Sequence, residues 1–480
     1  MLRRRLLQDP GLPVSNPTQS YWQTPPNSDV SNKQSSVLPE KRDVVVLGSG
    51  ITGLSVSWWL TQHSATTSIS VLDAREICSG ATGRNGGRIN CTAIQDYDKY
   101  RRIYGDEHAA QIVRFELAHF DAIHDFARDA GLDILECSEV RRVDAVSAVF
   151  NEKQLLEIRH MLENFEDAFP DLRGKWKIVG KTEVVDKYKI SNAKGALVGP
   201  AGAAWPYRMV TSVFAQLQSQ RSNRFSLEAN TPALAITRTS SSDYPYLVAT
   251  PRGAIRTKHV VHCTEGHSAH LLPRLRGILV PRRGQITVQN PASGFSQRSN
   301  SSWSFLIDDI LDYATQNPKT GHIIIGGGET SGKAEVLGIP SDAEEDVLAL
   351  SHLGGILPAA FGVKNWGNEL DGKRRIAYSW TGILCNSLDK VPLVGMLTEG
   401  LLDRQAGTQA SAEWISGGYG GYGMVNAFLC GKALAQMISG VDVISLLPEP
   451  YYITPERIGQ LQKAFKRILD SEKEHIKALL

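Results

Sequence analysis

The sequence has few cysteines, no long apolar run and no excess of one charge. Only 6 of the 480 residues are cysteine, and the nearest pair, Cys78 and Cys91, is too far apart for a Cys-x-x-Cys motif. No run of about 18 apolar residues is present, so we expect no membrane span. The 52 basic and 50 acidic side chains leave a net charge of +2. No excess field therefore attracts nucleic acid, and composition favours a globular protein without disulfide staples.

The same absences bear on location. Sparse cysteine favours a reducing compartment, and the start of the chain lacks the apolar stretch of a secretory signal. Arg3, Arg4 and Arg5 leave the mitochondrial matrix open as an alternative, although Asp9 and Pro10 follow at once. We therefore expect a cytoplasmic protein.

Residues 1–41 differ in composition from the rest of the chain. They hold six prolines among Ser, Asn and Gln, with neither helical nor strand periodicity. Such a segment predicts an extended N-terminal arm. Tyr21 and Trp22 are the candidate points of attachment to the body.

A strand–turn–helix–strand unit follows the arm. Val44–Leu47 is a β-branched run, Gly48-x-Gly50-x-x-Gly53 opens an apolar helix, and a second buried strand ends at Asp73. The first glycine permits a tight turn, the second lets backbone approach a pyrophosphate, and the third lets helix pack on strand. The helix N-terminus attracts phosphate, and the acid accepts hydrogen bonds from ribose hydroxyls. The unit predicts a dinucleotide site, for NAD or FAD rather than NADP.

The remaining chain alternates helices and strands. Residues 105 to 170 are predicted to be mostly amphipathic helix, and further helices are predicted at Ser341–Leu353 and Met424–Ile438. This alternation predicts an α/β nucleotide-binding domain interleaved with a mixed-sheet domain. Short strands are predicted at 225–228, 233–236, 246–248, 259–262, 286–288, 322–325 and 412–415.

Three other patterns are weaker. Gly327–Lys333 has P-loop spacing, but Ala334 stands where Mg²⁺ needs a hydroxyl. Gly418–Gly423 is a second GxGxxG, with too little chain after it for another nucleotide-binding domain, so we expect its helix to face the same cofactor. The only metal-like cluster lacks a second ligand pair, which favours packing over zinc. Its members are His259, His262, Cys263, His267 and His270.

Several segments together carry a family resemblance. Besides the first glycine turn and Asp73 they are Cys78–Arg88, Thr231–Ile236, Val260–Gly266, Trp380–Gly395 and Gly420–Met424. Their kind and order resemble the D-amino-acid oxidase superfamily of FAD-dependent amine oxidoreductases, especially the glycine oxidase, sarcosine oxidase and gamma-glutamylputrescine oxidase types.

The resemblance implies a Rossmann-like FAD-binding domain interleaved with a mixed-sheet substrate domain. The FAD-binding domain would comprise residues 42–100, 205–280 and 375–445, the substrate domain 101–204 and 281–374, and a helical tail 446–480. The implied cofactor-binding residues are Gly48, Ser49, Gly50, Ile51, Thr52, Gly53, Asp73, Ala74, Arg75, Ser79, Gly80, Ala81, Thr82, Asn85, Gly86, Gly87, Ala233, Gly266, Gly421, Tyr422, Gly423 and Met424.

The resemblance also bears on how FAD is held. Some relatives attach it through a histidine after the paired glycines, where this chain has Arg88. Covalent sarcosine-oxidase types use a cysteine seven residues before the motif aspartate. Here Gly382 lies seven residues before Asp389, and Cys385 lies only four before it. We therefore expect non-covalent FAD.

The implied reaction is hydride transfer from a C–H next to an amine nitrogen to flavin N5. Reoxidation by O₂ would give H₂O₂, with another electron acceptor as the alternative. Two other functions stay open: oxidation of a C–OH group of a specialised metabolite, and a flavin-bound assembly protein without turnover. A helix N-terminus at Met424 would stabilise negative charge on the flavin.

The substrate is expected to be a small molecule in an aromatic-walled pocket, which excludes water and holds an uncharged amine. The candidate catalytic residues are Tyr313, Arg88 and Trp380, with Trp205 and Tyr207 as further aromatic walls. Arg88 would be the cation nearest the flavin ring. No metal is expected.

Overall fold

The computed structural model describes residues 2–241, 243–295, 299–307, 310–328, 336–368 and 374–470. Two β-sheets dominate this part of the chain. The strands are β1 (Lys41–Leu47), β2 (Ile69–Leu72), β3 (Arg88–Ile89), β4 (Arg141–Val149), β5 (Lys177–Gly180), β6 (Gly195–Ala203), β7 (Phe225–Glu228), β8 (Ala235–Arg238), β9 (Tyr246–Thr250), β10 (Gly253–His262), β11 (Leu279–Gln289), β12 (Ser301–Ile307), β13 (Ile310–Gln316), β14 (Ile323–Gly327), β15 (Ile376–Ser387), β16 (Leu393–Met396) and β17 (Glu413–Gly417).

Helices lie on and between the sheets. Those of the described residues are α1 (Leu2–Leu7), α2 (Ile51–His63), α3 (Ala93–Ala130), α4 (Leu132–Ser138), α5 (Glu152–Ala168), α6 (Lys181–Tyr188), α7 (Pro206–Gln220), α8 (Ser268–Leu271), α9 (Val347–Trp366), α10 (Ala427–Ile438) and α11 (Pro455–Asp470).

The first sheet has a parallel centre. Its order is β16-β17-β10-β1-β2-β7, with β9 pairing β10 and β8 pairing β9. The five strands from β17 to β7 run parallel. Strands buried on both faces read as continuous apolar runs, which is why Val44–Leu47 is so uniformly hydrophobic. Helices α2 and α10 pack against each other beside this sheet, and the Ser55 hydroxyl donates to the Phe428 carbonyl at 2.6 Å.

The second sheet is mixed. Its order is β15-β11-β14-β13-β12-β4-β6-β3, with β5 pairing β6. Helix α9 covers one face, where Phe361 packs in a cluster with Trp303 and Phe305. Residues of the opposite face, among them Ile286 and Trp380, share one core cluster with residues of the first sheet. That shared core joins the two sheets.

The predicted segments differ from the structure in detail. Residues 105 to 170 are mostly helical, as expected, but β4 interrupts them because it pairs with β6 and β12. The helix expected from Met424 begins at Ala427, after a 3₁₀ turn at Gly423–Val425. The helix expected over Ser341–Leu353 instead spans Val347–Trp366. Its start is fixed by Asp346, whose carboxylate accepts two backbone N–H groups of the first turn at 3.1 Å.

The arm is not wholly irregular. It begins with the short helix α1, whose Leu6 packs with Val280 and Leu337. A single 3₁₀ turn at Tyr21–Gln23 then buries Tyr21 and Trp22, which are 6% and 2% exposed. Tertiary contacts rather than local periodicity stabilise both features.

The chain crosses between the sheets more often than the predicted segments suggest. Strands β3 and β15 come from segments assigned to the FAD-binding domain, but they pair with β6 and β11 of the second sheet. The domain boundaries themselves stay a prediction.

One helix of the described chain, α9, is long and apolar enough to cross a membrane by length and composition. A buried helix of a globular core passes the same test. Leu353, Leu357 and Phe361 of α9 are fully buried against the second sheet. These contacts identify α9 as a layer of the fold.

Candidate functional site

Five turns meet at one edge of the first sheet. Residues 48–53 follow β1, 73–75 follow β2, 229–233 follow β7, 263–267 follow β10 and 418–424 follow β17. The carboxyl ends of parallel strands share one edge, and ligands of open α/β sheets bind there. The structure therefore brings together predicted cofactor residues that are far apart in sequence.

A side chain would meet different obstacles at the three glycines of the first turn. Gly48 has φ +100°, and a Cβ there would lie 2.5 Å from the Cys263 carbonyl oxygen. A Cβ on Gly53 would lie 2.0 Å from the Gly48 oxygen. Gly50 is the N-cap of α2, and a Cβ there would approach only Thr82, at 3.0 Å from Oγ1. The fold itself requires Gly48 and Gly53, whereas the space at Gly50 is open for a ligand.

Two hydrogen bonds join this turn to other parts of the site. The Ile51 N–H donates to the Thr82 hydroxyl at 3.0 Å, which holds residues 79–87 against the start of α2. The Thr52 and Tyr419 hydroxyls are 3.0 Å apart, which joins the second glycine turn. Three segments thus form one cradle around the helix N-terminus.

Asp73 is fixed at the end of β2. Its carboxylate accepts the Ser49 N–H at 3.0 Å, the Ser49 hydroxyl at 2.5 Å and the Arg75 N–H at 3.0 Å. Burial raises the pKa of this carboxyl, against the effect of the Ser49 hydrogen bonds. Its place beside the glycine turn fits the predicted ribose contact.

The Arg75 guanidinium binds Asp342 and the arm. The guanidinium binds both carboxylate oxygens of Asp342, at 3.0 and 3.1 Å, and donates to the Val14 carbonyl at 3.2 Å. The side chain therefore links the site to the arm. A cofactor contact by Arg75 and Ala74 stays a prediction.

Two of the three candidate catalytic residues, Arg88 and Tyr313, are in contact, and Trp380 stands three strands away in the second sheet. Tyr313 lies opposite Gly326, Gly326 opposite Ile286, and Ile286 opposite Trp380. Directly opposed residues share a face, so Tyr313 and Trp380 stand on the same face. The Arg88 guanidinium lies 5.3 Å from the centre of the Tyr313 ring.

Arg88 is partly buried and incompletely bonded. One terminal nitrogen donates to the Ser304 hydroxyl at 2.9 Å. Its Nε is buried and has no hydrogen-bond partner among the described residues. Burial lowers the pKa of Arg88 to about 10, so the side chain is charged at neutral pH. A partly buried cation with an unused donor is a natural contact for an anionic group.

Tyr313 and Trp380 differ in their surroundings. The Tyr313 ring lies between two glycines, since a Cβ on Gly86 or on Gly326 would come within 2.6 Å of it. Trp380 is fully buried, and its indole N–H donates to the Arg84 carbonyl at 2.8 Å. Trp380 therefore supports residues 79–87, and its catalytic role stays a prediction.

The other predicted aromatic walls are core residues. Trp205 and Tyr207 are 4% and 3% exposed. The Trp205 indole N–H donates to the Trp22 carbonyl at 2.8 Å, and the Tyr207 hydroxyl accepts the Asn27 N–H at 3.1 Å. Both side chains contact the arm.

Two charged residues beside the second glycine turn were not among the predicted site residues. Glu265 accepts the N–H groups of Gly418 and Tyr419 at 2.9 and 3.2 Å, and burial raises its pKa to about 7. An Arg282 terminal nitrogen would lie 3.4 Å from a Cβ on Gly421. Arg88 is therefore accompanied by a second arginine near the site. In the sequence, the signal for Glu265 was its position directly before Gly266, a predicted cofactor contact.

A buried acid lies behind the same turn. Glu116 of α3 accepts the Tyr100 hydroxyl at 3.1 Å. Burial and the nearby Asp96 raise its pKa to about 8. Close by, the Thr92 hydroxyl donates to that of Tyr422 at 3.0 Å. At neutral pH Glu116 is mostly a neutral acid.

Two of the remaining predicted contacts lie against the site's walls. Ala233 is buried in a cluster with Leu47 and Leu72. A Cβ on Gly266 would lie 2.7 Å from Ile383. The adenine contact at Ala233 and the flavin contact at Gly266 stay predictions.

The histidine cluster is divided among structural contacts. His262 lies 3.1 Å from Glu413, His259 accepts the Trp414 indole N–H at 3.2 Å, and His267 lies 3.0 Å from the Gly11 carbonyl. No group of metal-ligating side chains occurs in the described ranges. Residues 329–335 of the P-loop-like segment lie outside those ranges.

Comparison with known proteins agrees with this geometry. The family described as FAD dependent oxidoreductase matches residues 43–437. The chain belongs to this family. Gamma-glutamylputrescine oxidoreductase of Escherichia coli strain K12 is 24% identical over 403 residues, covering 83% of this chain and 84% of that protein.

Solved structures show the same fold. Glycine oxidase from Geobacillus kaustophilus has a TM-score of 0.66 at 14% identity, covering 87% of this chain and 99% of that one. L-proline dehydrogenase from P. horikoshii has a TM-score of 0.65 at 19% identity, covering 88% and 99%. The predicted superfamily and fold class are confirmed.

This FAD-dependent oxidoreductase has residues that fit its cofactor. The open space at Gly50 lies at a helix N-terminus without a side-chain cap. The buried Ser79 hydroxyl has no partner in the described part of the chain. A bound diphosphate satisfies such donors. The family decides between the two dinucleotides left open by the sequence, and it is a family of enzymes, which favours turnover over an assembly role.

Replacing Gly50 tests the cradle. Gly50→Val is expected to abolish FAD incorporation, because its side chain would occupy the pyrophosphate space. Gly459→Val is the matched control, since a Cβ on Gly459 meets nothing within 4 Å. FAD content is measured by absorbance after desalting. Normal FAD content in Gly50→Val would show that this turn is assigned wrongly.

Replacing Asp73 tests the ribose contact. Asp73→Ala is expected to weaken FAD binding by roughly 1–3 kcal/mol, through loss of charge-assisted hydrogen bonds. Titration of FAD-free protein with FAD measures the change. An unchanged dissociation constant would remove Asp73 from the site.

The neutral Glu116 predicts a pH dependence of stability. Its pKa rises from 4.5 to about 8 on folding, so the folded state binds the extra proton. The stabilisation is complete below the unfolded pKa and is lost as pH rises through about 8. The free energy of urea unfolding should therefore fall between about pH 6 and 8.5 more steeply in the wild type than in Glu116→Gln. Equal slopes would contradict a neutral Glu116.

Proposed function

We propose that this oxidoreductase oxidises a small molecule at a C–H bond next to an amine nitrogen. The names of the three relatives refer to gamma-glutamylputrescine, glycine and L-proline, and each of these compounds contains an amine. The observation that carries the proposal is the contact of Arg88, which follows the loop 79–87, with Tyr313 on the sheet face that also carries Trp380.

Bound FAD would supply the hydride acceptor, at N5, and a route for the electrons to O₂, giving H₂O₂, or to another acceptor. The protein's task is then to hold the substrate and keep water away. Amine oxidation needs a neutral, well-placed nitrogen more than a strong base. The Tyr313 ring supplies an apolar wall, and the unused Nε of Arg88 supplies a contact for an anionic part of the substrate.

The charge of Arg88 also bears on the flavin. Desolvation lowers the pKa of Arg88 only to about 10, so its guanidinium stays charged and makes the local potential positive. Such a cation favours negative charge in a neighbouring group. Arg88 and the start of α10 would act in the same direction on reduced FAD.

The cysteines support a reducing location. All six are free thiols, including the buried Cys78, Cys385 and Cys430. We place the enzyme in the cytoplasm on this ground.

Anaerobic mixing of the FAD-loaded enzyme with panels of amines, amino acids and alcohols tests the function. Loss of the flavin's visible absorbance with an amine or amino acid is the expected result. Bleaching by alcohols or sugars alone would replace the proposal with C–OH oxidation. Subsequent admission of air, with a peroxide assay, identifies O₂ as the acceptor if H₂O₂ forms in proportion to the flavin reoxidised.

FAD should be released when the protein is denatured. Neither the Arg88 position nor the Gly382 position can form the bonds expected for covalent relatives, and Cys385 is fully buried. After acid or heat treatment and centrifugation, free FAD is expected in the supernatant. A fluorescent flavin band that migrates with the chain on a denaturing gel would contradict this.

The substrate pocket is tested at Arg88 and Tyr313. We expect Arg88→Ala and Tyr313→Ala to keep FAD but to slow flavin reduction or weaken substrate binding by at least about tenfold, roughly 1.4 kcal/mol. Exposed Arg173→Ala and buried Tyr188→Ala are the controls. Wild-type rates and affinities in both test variants would show that the pocket lies elsewhere.

A further inference from the structure

The arm binds the carbonyl groups of the loop 79–87. Arm residues 18–24 are here called the clasp, and three of their side chains donate hydrogen bonds to the loop. The Ser20 hydroxyl donates to the Gly83 carbonyl at 2.7 Å, and the Gln23 amide donates to the same oxygen at 2.9 Å. The Trp22 indole N–H donates to the Asn85 carbonyl at 2.5 Å. The loop's shape therefore depends on a segment more than 50 residues away in sequence.

The loop in turn binds the clasp through the buried guanidinium of Arg84. The Arg84 guanidinium donates to the carbonyl of Thr18, to its hydroxyl at 2.7 Å and to the Thr381 carbonyl at 2.7 Å. It also lies 3.3 Å from Asp342. Burial lowers the pKa of Arg84 to about 10, which leaves it charged. Leaving a buried charge unpaired is costly, so loop, clasp and β15 are expected to lock together.

The clasp also rests on the second sheet. The Tyr21 ring packs against Trp205 and Tyr378, with ring centres 5.2 Å apart in both pairs. Tyr378 is two residues before Trp380 on β15, so it stands on the same face. On the other side, a Cβ on Gly87 would come within 2.9 Å of the Trp22 ring. The clasp thus fills the space between the loop and the sheet.

We propose that the clasp is a positioning element of the cofactor site, so that docking of the arm and binding of FAD are coupled. The inference rests on the assignment of residues 79–87 to the flavin. The clasp hydrogen-bonds the carbonyl groups of the loop. On its other side, Thr82 of the loop binds the start of α2, and the Ser79 hydroxyl has no partner in the described chain. Such coupling is reciprocal: if docking of the arm strengthens FAD binding, then FAD binding stabilises the docked arm by the same factor.

The first test removes clasp donors, and its control matches the loss of buried ring volume. Ser20→Ala combined with Trp22→Phe deletes two of the bonds to the loop, and Trp303→Phe is the control. Trp303 is buried in the other core, and its indole nitrogen has no partner among the described residues. Titration of the full-length, FAD-free proteins measures the FAD dissociation constant, with thermal unfolding of the same samples alongside.

We expect the clasp variant to raise the dissociation constant at least about tenfold and the control to change it less than about twofold. A merely structural clasp would lower the melting temperature of the FAD-free protein and leave the dissociation constant within about twofold of the wild type. That result, or an equal loss of affinity in both variants, would overturn the proposal.

The second test needs no variant. Lys33, nine residues after the clasp in sequence, is exposed, and its backbone is hydrogen-bonded to Val30 and Ala229. Trypsin cleavage after Lys33 in the wild-type chain, followed by mass spectrometry, should be slower with saturating FAD than without it. Equal rates would overturn the coupling. If Gly50→Val loses FAD while the clasp tests fail, only the coupling falls and the assignment of the cofactor site stands.

Discussion

The buried guanidinium of Arg84 joins the parts of the molecule on which the site depends. It lies in the loop 79–87 and binds Thr18 of the arm, Thr381 of the second sheet and Asp342 before α9. Desolvating such a charge costs several kcal/mol unless its donors are bonded, and removing one partner of a buried pair costs about 3–5 kcal/mol. The loop, the arm and the second sheet are therefore held in the relative position that satisfies this charge.

That constraint reaches the candidate catalytic residues through the backbone. The Arg84 carbonyl accepts the Trp380 indole N–H, which fixes β15 against the loop. Two residues further on, Gly86 leaves room for the Tyr313 ring, and Arg88 lies over that ring. The same segment contacts the start of α2 through Thr82. One short loop thus sets the distance between the cofactor cradle and the proposed substrate pocket.

Local motifs were predictable where the chemistry is local. The turn 48–53, with its strand, helix and Asp73, is contiguous, and the family match confirms the fold and FAD that it implied. Arg84 stood in the motif, but its partners are distant in sequence and carry no period. In the sequence, Glu116 looks like a residue of the polar face of an amphipathic helix. In the structure Glu116 is buried, because Tyr100 and α10 pack around this part of α3. Strand β4 was hidden between helices because its partners, β6 and β12, are also non-local.

Amide hydrogen exchange, compared between the FAD-free and FAD-loaded full-length protein, tests the central claim most directly. The claim is that residues 79–87 receive the flavin and are held in place from the arm and from the second sheet. The account predicts that FAD slows exchange in peptides covering 48–53, 79–87 and 418–424, and also in the clasp. Slowed exchange at 48–53 and 418–424, with no change at 79–87 or in the clasp, would contradict it.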